Sequence, residues 1–335
     1  MPEHGLELVG VDGDARVGGG GFADVFPGAG GGGAGAADDE GEVRHRVAPI
    51  GAGIGTAVIG TIITALLLLA PESPNAEHRL FLPAIVRQPT SLKRGLATHH
   101  PEVQADVGLL GATWRYNWLA DIPTAPGVES VPMIYSAGVM RLLANNTIAL
   151  GGDSPYVLGF NEPDRPDQLL SPQDAVDFWV VIEGMYPDRL LVSPAPSHLD
   201  PGWLRDFRAA YIAKIGRPPR LDALAIHCYF RDDDTIRCRA IIEQFVQDAE
   251  EWGAEGVWVT EFAPIVRTGT TDEKEARAFV QWLEENPGVT RYAWFPTRLD
   301  GSEYWNPDPD DWALLVDEGG LTRWGHLYVE NRNER

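Results

Sequence analysis

Two glutamates occupy equivalent places in the sequence. Glu162 follows the apolar run Tyr156-Val-Leu-Gly-Phe and Asn161, and Glu261 follows Val257-Trp-Val-Thr. A proline comes soon after each, Pro163 and Pro264, and proline interrupts strand pairing. Each acid therefore sits where a buried strand ends. Cleavage of a glycosidic bond needs such a pair of carboxylates. One, as the acid, protonates the leaving oxygen; the other attacks the anomeric carbon or activates water to do so. Either glutamate alone can be read as a strand-end cap paired with an arginine. Both together, at matching ends, read more naturally as catalytic.

Neighbouring residues fit the same chemistry. The amide of Asn161, directly before Glu162, suits a sugar hydroxyl, typically the 2-OH, whose hydrogen bonds strengthen in the transition state. The run His227-Cys228-Tyr229 ends another strand candidate, and alternation puts His227 and Tyr229 on one face. A tyrosine hydroxyl reaching the nucleophilic carboxylate would hold it ionised and oriented; His227 is otherwise a core histidine. Trp294 is a natural floor for a sugar ring, with core packing as the alternative. In Trp114-Arg115-Tyr116-Asn117-Trp118 three aromatics alternate onto one face. The last of them, Trp118, is expected to meet ligand, and Asn117 to bond substrate hydroxyls. Arg94 is expected to pair with a buried acid inside the domain.

These side chains need a scaffold that brings distant strand ends together. From Ser91 onward the chain alternates short apolar runs with longer amphipathic ones. The strand candidates are Lys93–Ala97, Ala112–Asn117, Val131–Tyr135, Tyr156–Asn161, Leu190–Ser193, Ala223–Tyr229, Val257–Glu261 and Tyr292–Phe295. A helix capped by Ser171 is expected to run through Met185, with Ala175, Phe178, Trp179 and Ile182 on one face. A second covers Thr235–Trp252. A third opens at Thr271, with Ala276, Phe279, Val280 and Leu283 on its stripe. A further helix is expected near Val139–Ile148. Eight β-α units in this length predict an α/β protein of the (β/α)8 TIM-barrel class, whose active sites lie at the C-terminal ends of the strands. Strands four and seven face each other across such a barrel. A doubly wound open sheet is the runner-up, but its glycine-rich first turn is missing.

Composition narrows the partners. The chain has 49 Asp+Glu against 27 Lys+Arg, a net charge of −22. That balance argues against nucleic acid and against anionic polymers, and favours a neutral polysaccharide or oligosaccharide. Eleven tryptophans divide between core packing and stacking on flat apolar ligand faces. No metal-binding cysteine cluster is present, and the chemistry asks for neither metal nor cofactor. Cys228 and Cys238 are either one loop-closing disulfide or two thiols.

The first ninety residues are read apart from the enzyme. Residues 1–47 are glycine-rich and expected to be disordered. Translation from Val43 would make residues 1–42 an artefact of the assigned start. Arg44 and Arg46 precede the uncharged run 48–70, which has the features of a signal peptide and is long enough to be a membrane anchor. Residues 71–90 form a proline-containing linker, and 91–330 the catalytic domain. The protein is thus expected to be secreted, or anchored on the extracellular face of the membrane, and monomeric.

The segments K-R-G-L-A, W-R-Y-N-W, G-F-N-E-P-D and W-V-T-E-F-A together resemble glycoside hydrolase family 128, within the clan A glycosidases, over roughly residues 92–330. That resemblance implies a β-1,3-glucanase acting with retention, with Glu162 as general acid/base and Glu261 as nucleophile. Two rival readings stay open. One is a glycosidase of another linkage, such as a β-1,4-glucanase or β-mannanase. The other is a non-catalytic glycan-binding barrel at the cell surface.

Overall fold

The computed structural model describes residues 91–98, 103–166, 168–197, 200–230, 235–265, 273–299 and 313–330. The expected segments 1–47, 48–70 and 71–90, and the cap Thr271, lie outside the described residues. Among those described, no helix is long and apolar enough to cross a membrane.

The described chain alternates strands and helices: β1 (Arg94–Ala97), α1 (Val103–Leu110), β2 (Trp114–Tyr116), β3 (Glu129–Ser130), α2 (Ala137–Ala144), β4 (Tyr156–Leu158), α3 (Pro172–Met185), β5 (Leu190–Val192), α4 (Trp203–Ile215), β6 (Leu224–Phe230), α5 (Thr235–Trp252), β7 (Val257–Pro264), α6 (Glu273–Glu285) and β8 (Val289–Trp294). A small hairpin follows, β9 (Val316–Asp317) and β10 (Gly320–Leu321), and then α7 (Arg323–Glu330). Six strands form one parallel sheet in the order β3-β2-β1-β8-β7-β6, and β4 pairs with β5. Isolated parallel bridges link Met133 to Leu158 and Val192 to Ala223. The α/β class expected from the sequence is therefore observed.

Local sequence explains the elements. All eight residues of β7 are buried, as in parallel strands covered on both faces, which is why they read as unbroken apolar runs. Ser171 caps α3: its hydroxyl accepts from the Asp174 N–H at 3.1 Å, and Pro172 occupies the first turn. Buried on α3 are Ala175, Val176, Trp179 and Ile182, and on α6 Ala276, Phe279, Val280 and Leu283. Ser136 caps α2, which stops at Ala144, short of the expected Ile148. The third strand also differs from expectation: its ladder is Glu129–Ser130, ahead of Val131–Tyr135. On the β2 side the Val131 and Met133 N–H groups still donate to the Arg115 and Leu119 carbonyls, and on the β4 side the chain is joined by the bridge at Met133 and by the Asn161 N–H donating to the Tyr135 carbonyl at 3.0 Å.

Two apolar clusters lie on opposite faces of the strands. The larger packs strand residues such as Leu96, Val157, Leu191, Ile226, Val259 and Tyr292 against the helices. The smaller faces the other way and draws on each of β1 to β8 or its immediate extension, among them Ala97, Trp114, Met133, Leu158, Val192, Ala225, Trp258 and Ala293. Large and small residues alternate in it. A Cβ on Gly95 would lie 2.2 Å from Trp114 Cε2, so the bare backbone of β1 leaves the room that the indole fills. Near the strands' N-terminal ends, the Arg291 guanidinium lies 4.2 Å from the Trp258 ring centroid and 4.8 Å from that of Tyr156, and pairs with Glu129 at 2.9 Å.

The expected pairing of Arg94 is corrected. It points away from the smaller cluster and lies 5.0 Å over the ring of Tyr328 on α7, because alternation along β1 turns Gly95 and Ala97 inward instead.

Candidate active site

At the C-terminal ends of β4, β6 and β7, polar side chains converge. Glu162 lies four residues beyond β4, buried, with its backbone in the left-handed region at φ 39°. Its N–H donates to the Ala195 carbonyl at 2.9 Å, which fixes it beside the segment after β5.

Glu261 owes its direction to a defect in β7. Trp258 belongs to the smaller cluster and Val259 to the helix-facing one. Strict alternation would send Glu261 toward the helices with Val259. Instead the register slips: Val259 pairs with Tyr292 and Phe262 with Trp294, so three steps along β7 match two along β8. The extra residue is a bulge, which re-aims a side chain. It puts Phe262 on the helix side and turns Glu261 toward Glu162.

Four groups hold Glu261. Tyr229 Oη donates to Oε2 at 2.6 Å; Tyr116 Oη and Trp118 Nε1 donate to Oε1 at 3.0 and 2.9 Å. His227 Nδ1 lies 3.4 Å from Oε2 and 3.0 Å from Glu162 Oε1, bridging the two carboxyls. Arg165 Nε approaches Glu162 Oε2 at 3.3 Å. Burial, then the charge of Glu261, pushes the Tyr116 and Tyr229 phenols well above their usual range. Both therefore remain donors at neutral pH. Burial works against a charged His227 ring, but Glu261 and Glu162 outweigh it and the net shift is upward.

Oxygens of Glu162 and Glu261 and a ring nitrogen of His227 all lie within 4.8 Å of one another. By residue type the trio could hold a cation. Its hydrogen bonding does not suit one: Glu261 already accepts from three donors, and His227 Nδ1 faces two acceptors. The arrangement suits proton transfer and nucleophilic attack by carboxylates.

The remaining expected residues are placed as follows. Asn161 is buried beside Glu162, and among the described residues its Oδ1 has no hydrogen-bond partner. Asn117 is buried and its Oδ1 accepts from the Leu119 N–H at 3.3 Å, closing a local turn. Trp118 directs its indole N–H at Glu261 instead of standing open to ligand. Trp294 is corrected: it is fully buried among Phe262, Trp324 and Tyr328, and its Nε1 donates to the Ala313 carbonyl at 2.7 Å. Strand alternation points it at the helices while Ala293 faces inward. Every described tryptophan is buried or half-buried, so the stacking role expected of part of that set has no open ring among them. Cys228 and Cys238 form a disulfide tying β6 to α5.

Three contributors escape a reading of the sequence. Tyr116 was legible only as part of an aromatic stripe. Phe295, whose ring packs on both Trp118 and Tyr229, lies one residue beyond Trp294. Arg165 gives no signal apart from its spacing to Glu162.

A family model described as glycosyl hydrolase catalytic core matches residues 95–328. Among solved structures, a curdlan-specific exo-β-1,3-glucanase of glycoside hydrolase family 128, subgroup III, from Blastomyces gilchristii, in complex with glucose, is 27% identical. It covers 72% of this chain and 99% of its own, with a TM-score of 0.56. A subgroup II endo-β-1,3-glucanase from Pseudomonas viridiflava is 28% identical, covers 71% of this chain and 97% of its own, and has a TM-score of 0.50. A subgroup I endo-β-1,3-glucanase variant from Amycolatopsis mediterranei, in complex with laminarihexaose, is 25% identical over 72% of this chain and 99% of its own, with a TM-score of 0.54. Among curated proteins there is no match.

Proposed function

The chain belongs to the glycosyl hydrolase catalytic core family, and from that membership we propose a retaining hydrolysis of β-1,3-glucan with Glu162 as acid/base and Glu261 as nucleophile. The observation that carries this reading is the close approach of the two carboxyls, oxygens within 4.8 Å and bridged by His227. Retaining glycosidases hold theirs about 5–5.5 Å apart, whereas inverting ones leave room for a water. Glu162 gives its proton to the glycosidic oxygen as Glu261 attacks the anomeric carbon, forming a glycosyl-enzyme and releasing the leaving sugar. Glu162, now a carboxylate, takes a proton from water. That water attacks the same carbon, frees Glu261 and leaves the anomeric configuration unchanged.

The donors on Glu261 support the assignment of roles: Tyr229, Tyr116 and Trp118 orient it for attack. Asn161 is the residue for a sugar hydroxyl. Solved family 128 structures that bind laminarihexaose or glucose and act on β-1,3-glucan support the linkage, and the neutral substrate suits a chain of net charge −22. The scaffold is proposed to be a closed (β/α)8 barrel over residues 91–330. Support comes from the two bridges that join the β3 segment to β4 and β5 to the start of β6, and from the apolar cluster to which β1 to β8 or their extensions contribute. Export through residues 48–70, by cleavage or as an anchor, and a monomeric state remain part of this proposal.

Release of reducing ends from laminarin, cellulose and mannan oligosaccharides tests the reading. Laminarin is the expected substrate, with the β-anomer forming first in proton NMR. Glu162→Gln and Glu261→Gln are each expected to lower kcat by at least about 10²–10⁴-fold. Wild-type rates in both variants would favour a glycan-binding barrel, and cleavage of cellulose or mannan alone would overturn the linkage.

A further inference from the structure

We propose that Asp164 is a positioning residue, whose carboxylate takes over a ladder hydrogen bond that Glu162 gives up and so holds the acid in its left-handed conformation. The proposal rests on Glu162 being the acid/base.

The parallel ladder continues beyond β4 and β5. Ala195 N–H donates to the Phe160 carbonyl at 2.9 Å, and Glu162 N–H donates to the Ala195 carbonyl at 2.9 Å. In a regular parallel ladder the next bond would run from the Ser197 N–H to the Glu162 carbonyl. That bond is not made. With φ at 39° the Glu162 carbonyl turns aside and accepts from the Arg165 N–H at 3.0 Å. Ser197 is 3% exposed, so its N–H needs another acceptor. Asp164 supplies it: Oδ1 accepts from the Ser197 N–H at 2.8 Å and Oδ2 from the Ser197 hydroxyl at 2.5 Å.

A left-handed conformation is unfavourable for a residue with a Cβ and persists only where its surroundings over-determine it. Without Asp164, the Ser197 N–H would draw the Glu162 carbonyl back into the ladder. The backbone would then rotate and swing the carboxyl away from His227 Nδ1, now 3.0 Å distant. The same segment after β5 also holds His227, whose N–H donates to the Pro196 carbonyl at 3.3 Å. Asp164 thus locks the acid and its bridging histidine to one piece of backbone.

Kinetics on laminarin and a crystal structure test this together. Asp164→Ala is expected to lower kcat about 10²-fold, the loss typical of a misplacement near 1 Å, with KM changed less than about threefold. Asp164→Asn keeps an oxygen acceptor for the N–H and is expected to restore most of kcat. Ser197→Ala removes only the hydroxyl and is expected to stay within about threefold of wild type. The Asp164→Ala crystal structure is expected to show Glu162 at negative φ. Wild-type kcat in Asp164→Ala, an Asp164→Asn as slow as the alanine variant, or a positive φ with the His227 contact intact would each overturn the proposal. If Asp164→Ala does not fold, Asp164→Glu moves the carboxylate by one methylene and carries the same expectations. A wild-type protein inactive on laminarin would sink the hydrolase reading instead, and the crystal structure would still decide the clamp.

Discussion

Glu261 accepts from two phenols and an indole, and shares an imidazole with Glu162. The shortest of the contacts to Glu261, from Tyr229 at 2.6 Å, should count for most in its orientation. Removing a hydrogen bond to a charged group costs about 1.5–3 kcal/mol. Tyr229→Phe is therefore expected to slow kcat by roughly 10–10²-fold, with the fold intact by circular dichroism; an unchanged kcat would remove the phenol from the mechanism. His227 adds a pH dependence. Glu261 on β7, with Glu162 and Asp164 after β4, raises its pKa above the ordinary value of 6.5 against the pull of burial. A raised folded-state value means that protonation stabilises the native state. This contribution is complete below about pH 6.5 and is lost as the pH climbs through the folded value. Melts from about pH 6 to about pH 9 should show Tm falling more in wild type than in His227→Gln, and parallel slopes would refute the shift. The acid pair was legible at the residue scale because each glutamate ends an apolar run before a proline. The donors to Glu261 were legible only in part: His227 and Tyr229 share a strand face, whereas Tyr116 lies in a distant segment that nothing local ties to Glu261.

Helices were the most readable elements. A period of 3.6 marks a buried stripe, and on α6 the residues at that spacing, Ala276, Phe279, Val280 and Leu283, are those that are buried. Strands were readable as runs, but their registers were not. The third ladder lies at Glu129–Ser130, ahead of its apolar run, and the bulge in β7 reverses the side on which Glu261 emerges. Whether a bulge forms depends on what the neighbouring strands pair with, information the run Val257-Trp-Val-Thr does not contain. Deleting Thr260 removes the extra residue, so that Glu261 follows Val259 directly and simple alternation turns it toward Glu162. The variant is expected to keep activity on laminarin, with a far-ultraviolet circular dichroism spectrum of native form. Loss of all activity in the folded variant would mean that more than the face of the strand aims the nucleophile. The disulfide acts at the same scale, since Cys228 lies between the two β6 residues that touch Glu261 and anchors them to α5 at Cys238.

At the scale of the whole molecule, the inward faces of the strands are filled by side chains of graded size. Trp114 and Trp258 pack at a centroid distance of 5.2 Å, and Gly95 leaves the space that Trp114 enters. Gly95→Ala would set a methyl 2.2 Å from that indole. Overpacking of this kind costs about 1–3 kcal/mol, so a lowered Tm is expected in calorimetry; an unchanged Tm would mean that the indole can move aside. Composition and periodicity alone determined the α/β class, the faces of the main helices and the identity of both glutamates. Those features are written in local patterns of burial and breakage. Only the tertiary structure decided that Trp294 serves the core while Phe295 serves the site, that Trp118 holds Glu261, and that Asp164 reaches Ser197. Each of those outcomes turns on strand register and on contacts between distant segments. A one-residue slip in register exchanges the two faces of a strand, and no local pattern records such a slip.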